Sequence, residues 1–110
     1  MSFLAVDAQK SLFTLQRNQL QFEQTLVMNE ANWVSKQLRY MTNNADEQGD
    51  NHDLENDPDY IYLQQQEEQL ESEQDSLDTQ IQLLDNEISN LKTMVSNNIK
   101  NSCGLNLIGG

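Results

Sequence analysis

An all-α fold, a long antiparallel two-helix coiled-coil hairpin that assembles into a larger helical bundle or filament, is predicted by three features of this 110-residue chain. Apolar residues recur at every seventh position in two long stretches, and an acidic segment without that spacing separates them. Helix breakers are few: one Pro and four Gly, with two of the Gly at positions 109 and 110. A period of ~3.6 residues turns a seven-residue repeat into a stripe along one side of a helix. Scarce Pro and Gly leave long helices uninterrupted and deprive tight β-turns of their usual residues.

Residues 1–41 read as a bifacial amphipathic helix, starting between Ser2 and Asp7, either of which can cap it, and running to about Tyr40 or Met41. Val6, Phe13, Leu20, Val27, Val34 and Met41 recur every seventh residue, flanked by Phe3, Ala31 and Leu38 and interrupted by Lys10, Arg17 and Gln24. This set is the expected hairpin seam. A second set, Ala5, Ala8, Leu12, Leu15, Phe22, Leu26, Trp33 and Tyr40, keeps three-four spacing and is interrupted by Gln19, Asn29 and Lys36. At ~100° per residue it lies about 160° around the axis from the first. A helix with two apolar seams is built to be covered twice, so Leu12, Leu15, Phe22, Leu26, Trp33 and Tyr40 are the candidate partner or oligomer seam.

Residues 42–59, TNNADEQGDNHDLENDPD, lose the period, are strongly acidic and read as a flexible connector. With Gly49 at the turn of a calcium loop, Asn44, Asp46, Gln48, Asp50, His52 and Glu55 would fall on ligand positions. Asn44 stands where Asp opens such loops, Gln48 is a weak ligand and Asn51 replaces an apolar residue, so the segment reads as an acidic tether and no metal site is expected. Asp57-Pro58 then signals a helix start: an acceptor at the N-cap, Pro at the first helical position, and Asp59 near the positive end of the helix dipole.

Residues 60–101 form the second expected helix, an acidic heptad helix, with Gly104 as its stop. Leu63, Leu70, Leu77, Leu84 and Leu91 make a uniform line, and Glu67, Gln74, Ile81, Ile88 and Val95 make its companion. The opposite face is polar except for Leu83, so this helix needs covering on one side only. Residues 102–110 are a small apolar tail whose Leu105, Leu107 and Ile108 are expected to fold back on a seam or a neighbour.

An antiparallel arrangement sets each mixed line against the other helix's uniform line. Leu38 then meets Leu63, Leu20 meets Ile81, Phe13 meets Ile88 and Val6 meets Val95. Every layer keeps an apolar member even where Lys10, Arg17, Gln24, Glu67 or Gln74 intrudes. In-register parallel copies would instead stack Arg17 on Arg17 and Glu67 on Glu67, which is costly.

Charge narrows the partners. Residues 1–41 sum to +1, 42–59 to −7, 60–91 to −8 and 92–110 to +2, for a net −12. Nucleic acid and anionic membranes are disfavoured, because binding them needs basic surface that releases counterions. No stretch approaches the ~18 apolar residues of a membrane span. The opening MSFLAVDAQK lacks a basic n-region and a long apolar run, which predicts a cytoplasmic protein or one exported without a cleaved signal.

No enzyme, cofactor or small-molecule substrate is expected. The single histidine, His52, lies in the connector, where it cannot join a nucleophile on a rigid frame, and the carboxylates lie on a solvated helix face. Cys103 reads as a free thiol.

The plan of a small helical hairpin with one bifacial helix resembles the hairpin proteins of bacterial export systems, including type III needle subunits and ESX-type Trp-x-Gly proteins. Trp33 is followed here by Val34-Ser35, so the Trp-x-Gly motif itself is absent and no functional residue is carried over. Prefoldin-type chaperones share the two-helix coil, with a central β-hairpin that this connector lacks. The resemblance implies a non-enzymatic protein acting as a dimer, a filament or a partner of a secretion apparatus. Two functions follow as expectations: a structural or assembly protein that forms a homo-oligomer, or an adaptor whose second seam accepts a helix from another protein.

Overall fold

The computed structural model describes the backbone of residues 3–47 and 53–108 and the side chains of residues 4–45 and 53–97. Helix α1 spans Phe3–Glu47, a 3-10 turn covers Leu54–Asn56, and helix α2 spans Pro58–Ile108. No strand occurs among the described residues. The fold is all-α, an antiparallel two-helix hairpin.

Helix α2 begins as the Asp57-Pro58 pair dictates. Asp57 Oδ1 accepts the backbone N–H of Asp59 at 2.9 Å and that of Tyr60 at 3.4 Å, while its carbonyl accepts the first helical bond, from Ile61, at 3.0 Å. These donors have no partner inside the helix, and the carboxylate also sits at the positive end of the dipole. Just before the cap, the Asn56 and Asp57 N–H groups close the turn onto the Asp53 and Leu54 carbonyls, both at 3.1 Å, and the Asn56 side-chain amide bonds the Asp53 carboxylate. Asp57→Ala is therefore expected to cost about 1 kcal/mol, read as a lower urea midpoint by circular dichroism, with Asp57→Asn recovering most of it.

Both helices run further than the residue pattern implies. Helix α1 passes the expected end at Tyr40 or Met41 and continues to Glu47, taking the first six residues of the segment assigned to the connector. Thr42 gives the reason at its first step: its hydroxyl donates to the Leu38 carbonyl at 2.9 Å, so it is satisfied within the helix and does not cap it. Ala45 and Glu47 are good helix formers, and no Gly or Pro intervenes before Gly49. Helix α2 likewise runs through Gly104, the expected stop, to Ile108, so the backbone of 102–108 continues the helix instead of folding back. An isolated glycine costs only about 1 kcal/mol in a helix, and the leucines and isoleucine after it favour continuation. Residues 48–52, the middle of the expected connector, and the side chains of the tail, Cys103 included, lie outside the described residues.

The chain divides into two compact units. The first joins α1 up to Gln21 with α2 from Thr79 onward. Here Val6, Ile81, Ile88 and Leu91 are buried, with Phe13, Leu20, Leu84 and Val95 half-buried. The second, Phe22–Asp78, holds the rest of α1, the turn and the start of α2. Its buried residues are Val34, Leu70 and Leu77, with Val27, Ala31, Leu38, Met41 and Leu63 half-buried around them. All of these residues come from the heptad lines of the two helices, so each unit is closed by a single apolar seam.

Candidate partner-binding face

Two polar residues of the seam, Arg17 and Glu67, have partners across the helices. In the first unit Arg17 of α1 donates from Nε to Asp85 Oδ1 at 2.7 Å and from Nη1 to Gln21 Oε1 at 2.8 Å. In the second, the Ser35 hydroxyl donates to Glu67 Oε2 at 3.2 Å. Pairing Val6 with Val95 places Arg17 opposite Leu84 and Ser35 opposite Gln66, so both observed partners stand one residue further along α2. Arg17 and Asp85 keep 29% and 50% of their side chains exposed, so this ion pair is worth at most about 1 kcal/mol and serves mainly to keep a seam cation solvated and paired. Lys10 lies 3.7 Å from Asp7 on its own helix. Among the described residues no buried side-chain nitrogen or oxygen lacks a hydrogen-bond partner.

The second stripe of α1 is placed differently. In the first unit Leu12 and Leu15 are 52% and 56% exposed; in the second Phe22, Leu26, Trp33 and Tyr40 are 65%, 48%, 58% and 64% exposed. A helix has only one side facing its hairpin partner, and that side is taken by the Val6 to Met41 line. The six large side chains therefore stand in water, two in the first unit and four in the second.

Helix α2 adds to this face a residue that periodicity did not single out. Trp33 shares an open groove of about 260 Å³ with Tyr62, Leu63 and Gln66, floored by Val34 and Leu70. Tyr62 is 60% exposed. Its only sequence signal is the Tyr60-Ile61-Tyr62 run just after the helix start, where side chains off the Leu line have no seam to enter. Glu30 and Gln66 give the groove a polar edge. Such a groove suits an apolar side chain delivered by another helix.

Among the described residues there is no group of three or more His, Cys, Asp or Glu placed to hold a metal ion. Of the calcium-loop residues, Asn44 and Asp46 belong to the last turns of α1 and Glu55 to the 3-10 turn, while Gln48, Asp50 and His52 lie outside the described residues. Among the same residues no helix is long and apolar enough to cross a membrane. Comparison with protein-family models, curated proteins and solved structures finds no match to this chain.

Proposed function

We propose that this chain is a non-enzymatic structural or assembly protein that self-associates through the second apolar face of α1. One observation carries the reading: six large apolar side chains, each about half exposed or more, follow one face of a helix whose other face is already covered. Burying such a face removes roughly 25 cal/mol of unfavourable hydration per Å² of apolar surface, so association is the expected response. The acidic second helix supports solubility of an otherwise sticky hairpin, since its outer face is polar and its net charge repels nonspecific neighbours.

The test is the mass in solution, by light scattering coupled to size exclusion. An oligomer with a blue-shifted Trp33 emission is expected; a 12.7 kDa monomer with water-exposed Trp33 overturns the reading. A second reading, an adaptor or chaperone-like module for a client helix, is favoured by the Trp33-Tyr62 groove and is compatible with a protein that acts in the cytoplasm or leaves the cell without a cleaved signal. Its link to bacterial export rests on architecture alone.

A further inference from the structure

We infer that the occupant of this face is the same face of a second copy, running antiparallel, with the two-fold axis at the level of Gln24. The inference rests on the self-association reading and adds to it an orientation and a register. In this register Leu26 packs on Phe22 of the second copy, Trp33 on Leu15, Tyr40 on Ala8 and Leu12 on the stem of Lys36. The two uncharged polar residues that interrupt the face, Gln19 and Asn29, meet each other.

Two observations select it. The first is polar matching. Shifting the register by one heptad either way sets Asn29 against Leu12 or Leu26 and leaves Gln19 facing Phe22 or Lys36, so amides go into apolar layers or lose their amide partner. A parallel dimer in register would stack Lys36 on Lys36 and Trp33 on Trp33. In the antiparallel register large side chains face smaller ones, Trp33 on Leu15 and Tyr40 on Ala8, as interdigitated layers require.

The second is area. Whole aromatic side chains offer about 150–250 Å², so the exposures of Leu12, Leu15, Phe22, Leu26, Trp33 and Tyr40 leave roughly 600 Å² of apolar surface per copy, and two copies would bury about 1,200 Å², the lower bound of a specific, stable interface. Leu15 of the second copy arrives at Trp33, beside the groove that Tyr62 helps to line.

Disulfide trapping tests orientation and register together. In a Cys103→Ser background, chains carrying Gln19→Cys are mixed with chains carrying Asn29→Cys, refolded together and oxidised. Both positions are exposed on α1, so neither change should alter the helical signal. A crosslinked dimer in the mixture and none in either variant alone is expected, since in this register Gln19 lies about 15 Å from Gln19 of the second copy, ten residues at ~1.5 Å each, too far for a disulfide. Crosslinking of each variant with itself means a parallel pair and overturns the inference. A stable oligomer by light scattering with no crosslink in any sample also overturns it while leaving self-association standing. A monomer by light scattering removes both.

Discussion

Leu77→Asp is expected to abolish the folded hairpin. Leu77 is only 8% exposed, on the uniform leucine line of α2, and nothing near it in the seam is basic enough to receive a carboxylate, since the expected facing residue is Gln24. Removing a buried leucine side chain costs about 2–5 kcal/mol, and an ionised carboxylate left in its place adds the penalty of an unpaired buried charge. Marginal folds hold only about 5–15 kcal/mol in total. Far-ultraviolet circular dichroism at neutral pH should show most of the helical signal lost. Leu77→Ala should keep it at low urea and lower the midpoint. Burial raises the pKa of the introduced carboxylate above its unfolded value, so the deficit relative to the parent chain is present at pH 7 and shrinks as pH falls through that raised pKa toward ~4. A Leu77→Asp chain with parental helicity and midpoint at pH 7 would mean that this line of α2 is not the seam.

The seam could be read in advance because burial here is one-dimensional. Leu70, Leu77, Ile81, Ile88 and Leu91 are buried by belonging to a seven-residue repeat, and a repeat survives without knowledge of any contact. The start of α2 was equally legible, since Asp57 and Pro58 act through the backbone next to them. The ends were not. Whether α1 stops at Met41 or Glu47 turns on propensities of a few tenths of a kcal/mol per residue and on Thr42 bonding backwards to Leu38. Gly104 carries a similarly weak signal, and α2 runs through it.

Less of the face could be read, for a related reason. Leu12, Leu15, Phe22, Leu26, Trp33 and Tyr40 share one helix, so their common side follows from spacing alone. Tyr62 joins Trp33 only through the way α2 lies against α1, and Asp85 and Ser35 meet Arg17 and Glu67 for the same reason. These residues sit beside the seam lines, where a heptad reading records no apolar character. Cross-helix partners off the repeat require the register, and a connector whose length leaves the register open cannot supply it.

Under the proposed self-association, Trp33→Asp is expected to do the opposite of Leu77→Asp: it should leave the chain monomeric and the helices standing. Trp33 is 58% exposed within the chain, so a polar replacement there meets water in the free hairpin and costs the fold little. In the proposed association it removes the largest apolar side chain of the face and places a carboxylate opposite Leu15 of the second copy. Large aromatic residues buried at an interface contribute about 2 kcal/mol or more to binding, and losing one weakens the dissociation constant roughly 30-fold or beyond. Light scattering across a dilution series should show the variant as a monomer at concentrations where the parent chain is associated, with unchanged ellipticity per residue. Met28→Asp is the matched control. Met28 is 49% exposed, as much as Leu26, but at ~100° per residue it stands well around α1 from the face, so its replacement should change neither mass nor helicity. Equal dissociation by both changes would mean that exposed apolar area in general, and not this face, holds the copies together. Loss of helicity in Trp33→Asp would instead make the two stripes of α1 parts of one core.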